Sequence, residues 1–113
     1  MIKLYGIKNC DTVKKACRYL EERNQEYEFV DFKKTKLNKK NIETWKKSFG
    51  DWPVNKKGRT YRQLKDEFEN STDLEKVNLI IENTSLIKRP ILEIKNKTVA
   101  FGFEKETYQK TLI

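Results

Sequence analysis

The fold is decided at the amino end, where residues 1–32 read MIKLYGIKNCDTVKKACRYLEERNQEYEFVDF. The first apolar stretch predicts a strand over residues 1–7. Residues 11–23 carry apolar side chains at helical spacing, and Asn24 is a suitable stop. Apolar and aromatic side chains at residues 27–32 predict a second strand. A strand, a helix and a strand in this order normally form a right-handed unit with parallel strands.

The middle of the chain, residues 38–83, is predicted to be helical in three segments. Asn38 is a suitable N-cap for the first segment. A short second helix is expected after a loop at residues 54–60. Thr72 and Glu75 have the spacing of a capping box and predict the start of the third. The core face of the first helix is expected to contain Ile42, Trp45 and Phe49.

The carboxyl end predicts a β-hairpin, with strands around residues 91–94 and 98–103 and a turn at residues 95–97. A short helix over residues 104–112 follows, with Tyr108 and Leu112 directed inward. The predicted fold class is therefore α/β, in the order β-α-β, helices, β-β-α, with a mixed four-stranded sheet. We expect one domain over residues 1–113, with a helical insertion at about residues 38–83.

Composition excludes several classes of protein. The chain has 113 residues, 36% hydrophobic and 37% charged, and its six Phe, five Tyr and two Trp favour a packed core over disorder. No apolar stretch approaches the roughly 20 residues that cross a bilayer, and the amino end lacks the layout of a signal peptide. We therefore expect a cytoplasmic protein with no membrane partner, whose two cysteines are reduced thiols.

The net charge of +8 is regional. Residues 33–62 hold eleven Lys and Arg against Glu43 and Asp51, and the remainder of the chain is nearly balanced. Such a basic helical region can attract a protein partner or an anion, or can be a solvated lysine-rich face. Arg is absent from residues 33–47, so sequence-specific DNA binding is not predicted.

Chemistry is expected at Cys10, between the first strand and the first helix, because unpaired N–H groups at a helix start favour thiolate over thiol. The chain has no histidine, which excludes a Cys–His pair and a histidine metal ligand. Activation must come from the helix start and from cations such as Lys8 and Lys14. Asn9 and Thr12 can offer hydrogen bonds to a bound oxyanion, or can be merely structural.

Cys17 belongs to the apolar stripe of the same helix, with Val13, Ala16 and Leu20. Seven residues of helix rise about 10 Å, whereas disulfide Cα atoms approach to roughly 4.4–6.8 Å. An intact helix therefore forbids a Cys10–Cys17 bridge, and we interpret Cys17 as a core residue. A second thiol must come from outside, from glutathione or a glutaredoxin. No metal ligand spacing is present, and no tightly bound cofactor is predicted.

Two motifs and the carboxyl end resemble known proteins. LYGIKNCDTVKKA at residues 4–16, IKRPIL at residues 87–92 and the pairs at residues 102–103 and 108–109 resemble the arsenate reductase-like (ArsC/Spx) family, especially its YffB-type branch. The resemblance covers essentially the whole chain. It implies a thioredoxin/glutaredoxin-like fold and a glutathione-linked thiol oxidoreductase.

The resemblance also implies roles for particular residues. Cys10 matches the family's redox nucleophile, which forms a mixed disulfide, and Arg89 matches the arginine that helps to hold an anion beside it. Pro90 matches a proline that is typically cis in thioredoxin-like folds. The family often has a basic residue near Lys57 or Arg59, which could contact the anion or the carboxylates of glutathione.

The sequence departs from the family at three positions. Two further arginines of the resembling arsenate reductases align with Asn55 and Gly102, so neither charge is present for arsenate reduction. The related Spx-type regulators often carry a second cysteine where this chain has Val13, so their redox switch is missing. The alternative function is a Spx-like regulator that contacts RNA polymerase or another protein through its basic helical region.

Overall fold

The computed structural model describes residues 1–111, which form two compact units. The first comprises Met1–Thr35 and the segment from Arg89 onward; the second is Lys36–Lys88. No helix within residues 1–111 has the length and apolar character needed to cross a membrane. The elements in chain order are β1 (Ile2–Gly6), α1 (Asp11–Glu22), β2 (Tyr27–Asp31), α2 (Lys39–Phe49), α3 (Arg59–Glu69), α4 (Asp73–Glu82), a 3₁₀ turn (Thr84–Leu86), β3 (Ile91–Ile94), β4 (Lys97–Phe101) and α5 (Lys105–Thr111).

The first unit contains a four-stranded mixed sheet in the order β2-β1-β3-β4, which confirms the predicted α/β class. β1 is parallel to β2, as expected for a strand-helix-strand unit, and antiparallel to β3. β3 and β4 form the predicted antiparallel hairpin. One core cluster joins alternate sheet residues, α1 and α5 around the buried side chains of Ile2, Leu4, Ala16, Tyr19, Leu20, Leu92, Ala100 and Tyr108.

The buried face of α1 differs from the predicted one at two positions. Cys17 is only half-buried, and Tyr19 is buried instead. The Tyr19 ring packs edge-on against the rings of Phe103 and Tyr108, with centroids 5.7 Å away in both cases. Because both positions flank the Val13–Ala16–Leu20 stripe, tertiary packing decides which one is covered.

The helices of the second unit begin where their capping residues predict. The Asn38 side chain accepts the N–H of Asn41, and Thr72 and Glu75 form the predicted capping box. α2 ends at Phe49 and is capped by Gly50, which adopts a left-handed φ of 83°. The prediction that Phe49 faces the core is wrong. Phe49 is the last residue of α2 and is 37% exposed, and the Lys88 ammonium lies 5.9 Å from its ring centroid.

The β3–β4 turn is tighter than predicted. Lys95 and Asn96 both have positive φ, 52° and 66°, which is the backbone of a two-residue hairpin turn, and Lys97 already pairs with Ile94. Tyr108 on α5 is buried as predicted, whereas the expectation for Leu112 lies outside the described residues. The 3₁₀ turn after α4 was not predicted.

Candidate functional site

The sheet register brings the two sequence motifs to one end of the first unit. β1 leads through residues 7–10 into α1. β3 runs antiparallel to β1, with Tyr5 opposite Ile91. Since Arg89 and Pro90 directly precede Ile91, they lie at the end of the sheet where β1 leaves it towards Cys10.

Cys10 is the N-cap residue of α1 and is half-buried. Its backbone is extended (φ −128°, ψ 124°), and its carbonyl accepts the first helical hydrogen bond from the Lys14 N–H at 2.9 Å. Its side chain makes no capping hydrogen bond. The caps of α2 and α4, in contrast, use side-chain oxygens of Asn38 and Thr72. The first-turn N–H groups of α1 therefore receive no side-chain cap from Cys10 within residues 1–111, and free N–H groups at a helix start can bind an anion.

The Arg89–Pro90 peptide bond is cis, as the resemblance predicted. Pro90 is buried and Arg89 is half-buried. The Nε of Arg89 is fully buried and has no hydrogen-bond acceptor within residues 1–111. A buried donor of this kind is unfavourable unless an acceptor arrives from a ligand.

Sequence reasoning missed the support beneath Pro90. The Gly102 N–H donates to the Pro90 carbonyl at 2.8 Å, and the buried Tyr108 hydroxyl donates to the Gly102 carbonyl at 3.3 Å. Gly102 has a φ of 77°, a conformation that glycine adopts readily and arginine does not. Gly102 is therefore a backbone brace for Pro90. A glycine directly after a strand was the available signal.

The remaining predicted residues divide between the two units. Lys8 and Asn9 are exposed in the turn before Cys10, and Thr12 is half-buried in the first turn of α1. Lys57 and Arg59 belong to the second unit, in the turn before α3 and at its first residue. Lys8, Asn9, Cys10, Thr12, Arg89 and Pro90 thus share the first unit.

Asn55 has a structural role in the second unit. Its side-chain oxygen accepts the Lys57 N–H at 3.2 Å, its backbone N–H donates to the Leu86 carbonyl, and its carbonyl accepts from Gly58. Asn55 and Gly102 are therefore both used to hold backbone turns.

Cys17 is chemically different from Cys10, although both thiols are free. It lies inside α1 and packs against the core cluster. Burial raises the pKa of the Cys17 thiol, partly offset by a hydrogen bond with Tyr27. Cys17 is therefore held as a thiol, which is a poor nucleophile.

A buried acid in the same sheet was also missed. Glu93 on β3 is 9% exposed and hydrogen bonds to Tyr5 on β1. Burial, followed by the Glu93 carboxylate, raises the pKa of Tyr5 to about 12. The sequence feature that could have indicated this buried acid is a charged residue within the apolar run ILEI. Residues 1–111 contain no group of three Cys, Asp or Glu arranged as metal ligands.

The comparisons with known proteins agree with this architecture. The model of the ArsC family matches residues 5–111. An uncharacterised protein of Haemophilus influenzae is 39% identical over 111 residues, which cover 96% of each chain.

Solved structures are similar over the same length. The YffB protein is 34% identical, with a TM-score of 0.89 over all of both chains. A Streptococcus mutans protein described as a possible arsenate reductase is 28% identical, with a TM-score of 0.81 over 100% of this chain and 98% of that one. An arsenate reductase-related protein of Brucella melitensis is 34% identical, with a TM-score of 0.73 over 98% and 93% of the two chains.

Proposed function

The chain belongs to the ArsC family, and from that premise we propose that it is a glutathione-linked thiol oxidoreductase with Cys10 as its nucleophile. One observation carries the proposal. The N-cap position of α1 holds a cysteine at the end of the sheet that also holds Arg89; within residues 1–111 the cysteine makes no capping hydrogen bond and the buried Arg89 Nε has no acceptor.

The reaction is a thiol–disulfide exchange at Cys10. The thiolate attacks one sulfur of a disulfide, a bond forms between Cys10 and that sulfur, and the other sulfur leaves as a thiolate that takes up a proton. A glutathione thiolate then attacks the mixed disulfide and releases Cys10 as a thiolate. The helix start stabilises the charged form of the sulfur before and after each exchange.

Arg89 is the anion contact of this proposal. Its buried Nε–H requires an acceptor, and a carboxylate or oxyanion of the bound thiol compound supplies one. The cation also favours the thiolate that leaves in each exchange. Lys8, Asn9 and Thr12 surround Cys10 in sequence and add charge and hydrogen-bond donors to substrate binding.

The second thiol of the cycle comes from outside the chain. Cys17 lies seven residues along an unbroken α1, beyond the reach of a disulfide from Cys10. Glutathione is small, carries carboxylates and suits a site rich in cations; a glutaredoxin is the protein source of the same thiol.

A disulfide is a better substrate for this site than arsenate. Asn55 and Gly102 stand where the resembling arsenate reductases carry arginines, and both are engaged in backbone turns. Of the three positions only Arg89 carries a guanidinium here, so the planar two-point contacts that arginines at the other two positions would make to an arsenate oxyanion are missing.

The test is glutathione-dependent reduction of hydroxyethyl disulfide and, separately, of arsenate, followed through coupled NADPH oxidation. We expect turnover of the disulfide, no arsenate turnover above background, and complete loss in Cys10→Ser. The matched variant Cys17→Ser keeps the activity. Full activity in Cys10→Ser, or none in the wild type, contradicts the proposal.

The role of Arg89 is tested in the same assay. Arg89→Gln is expected to lower kcat/KM about tenfold, which is the effect of losing one charge-assisted contact of about 1.4 kcal/mol. Arg62→Gln makes the same change at an exposed position of α3 and should have no effect. Equal losses in both variants would show that only the net charge matters.

The second candidate function, a Spx-like regulator, is supported by the second unit. Leu74 is 54% exposed there, and Phe49, which lies within the basic residues 33–62, is 37% exposed. Capture of RNA polymerase subunits by Cys10→Ser as well as by the wild type favours this candidate. A glutathionyl adduct on wild-type Cys10 with no polymerase capture favours the enzyme.

A further inference from the structure

A cavity opens along the edge of the sheet, between α1 and β2, and shares Lys8 with the proposed active site. Its volume is about 430 Å³, within the range of roughly 300–1,000 Å³ typical of small-molecule sites. We call it the α1–β2 pocket. Its lining residues are Lys8, Val13, Lys14, Cys17, Arg18, Glu21, Tyr27 and Phe29.

The inner wall of the α1–β2 pocket is apolar. Val13 is 1% exposed, and Cys17, Tyr27 and Phe29 are half-buried side chains that pack towards the sheet. Cys17 adds a neutral thiol because burial raises its pKa. This wall can accept a hydrocarbon chain or ring by removing apolar surface from water.

The rim of the pocket is cationic. Lys8, Lys14 and Arg18 are exposed, and none of them forms an ion pair within residues 1–111. The one acid, Glu21, already accepts a hydrogen bond from the Tyr27 hydroxyl at 2.6 Å. The lining therefore carries three cations and one carboxylate, a net positive charge beside an apolar wall.

We propose that the α1–β2 pocket is a second binding site, which takes an organic carboxylate with an apolar body. The apolar wall receives the body, and Lys8, Lys14 and Arg18 receive the carboxylate, for which the guanidinium fork of Arg18 is well suited. An inorganic anion would make no apolar contact with the inner wall, and a neutral apolar molecule would make no ionic contact with the rim. The site does not depend on catalysis at Cys10.

Calorimetric titration of the full chain tests the ligand class, with octanoate, octan-1-ol and inorganic phosphate as probes. We expect octanoate to bind more tightly than either of the other two. Arg18→Gln should weaken octanoate binding roughly twofold to fivefold, as expected for an exposed ionic contact. Lys97→Gln removes the same charge from an exposed position of β4 outside the pocket and should leave the affinity unchanged.

The Cys17 thiol reports where the ligand sits. In Cys10→Ser, octanoate should slow alkylation of Cys17 by N-ethylmaleimide at alkaline pH, and octan-1-ol at the same concentration should slow it less. The proposal is overturned if octanoate fails to protect Cys17, if phosphate binds as tightly as octanoate, or if Arg18→Gln and Lys97→Gln weaken binding equally.

Discussion

Oxidation of the wild-type protein by glutathione disulfide is expected to give a mixed disulfide on Cys10 and no internal bridge to Cys17. The perturbation is a mild oxidant, and the structural question is whether two thiols on one helix can meet. They stand at the N-cap and in the interior of α1, with buried Val13 and Ala16 between them.

The free-energy difference follows from helix geometry. Seven residues rise about 10 Å, and a disulfide needs Cα atoms within roughly 6.8 Å, so about one turn of α1 must unwind. Unwinding removes about four backbone hydrogen bonds of roughly 1 kcal/mol each and exposes Val13, worth about 2 kcal/mol. The internal bridge is therefore disfavoured by roughly 6 kcal/mol, a factor of about ten thousand or more.

The assay is intact mass and peptide mapping after acid quenching. The wild type and Cys17→Ser should each gain one glutathionyl group, on Cys10, at similar rates. Cys10→Ser should remain mostly unmodified, because burial raises the pKa of the Cys17 thiol. A main product two hydrogens lighter, with Cys10 joined to Cys17, would refute both the geometric argument and the need for an external thiol.

Three further outcomes are expected from urea unfolding. Burial and Glu93 raise the pKa of Tyr5 to about 12, so the unfolded chain loses the Tyr5 proton at a lower pH than the folded protein does. The free energy of unfolding should therefore fall by roughly 2–3 kcal/mol between pH 10 and 12. Tyr5→Phe should lack that part of the fall, and identical pH profiles of the two proteins would contradict the assignment. Thr72→Ala should lower the unfolding free energy by about 1 kcal/mol through loss of the capping box, whereas Thr44→Ala, exposed within α2, should not lower it. Gly102→Arg, which introduces the charge found in the resembling arsenate reductases, should destabilise the protein by roughly 1–3 kcal/mol, because residue 102 has a φ of 77° that arginine adopts unfavourably. Unchanged stability would show that this position does not need a glycine to hold Pro90.

Much of the fold could be predicted from local patterns. The strand-helix-strand order correctly predicted that β1 and β2 are parallel. The Thr72–Glu75 spacing correctly predicted the residue at which α4 begins. These features depend on neighbours within a few positions, where periodicity and hydrogen-bonding chemistry decide the outcome. The family and the fold predicted from the motifs around Cys10 and Arg89 are confirmed by the comparisons.

The missed features depend on residues that are distant in sequence. Gly102 holds Pro90 through a backbone hydrogen bond, and Glu93 meets Tyr5 only because β3 aligns with β1. Helical period alone allowed either Cys17 or Tyr19 to be covered, and aromatic packing against α5 selected Tyr19. The roles of Cys10 and Arg89 stay predictions until the activity is measured.

The position of β3 has a consequence for the protein as it is being made. The β1–α1–β2 segment with Cys10 leaves the ribosome early, whereas its antiparallel neighbour lies beyond the whole second unit in the chain. Two strands and one helix are seldom stable alone, so the nascent segment is not expected to fold stably until β3 and β4 have been synthesised. Because Arg89 follows the whole second unit, the proposed site of Cys10 and Arg89 can form only after residues 36–88 have been synthesised.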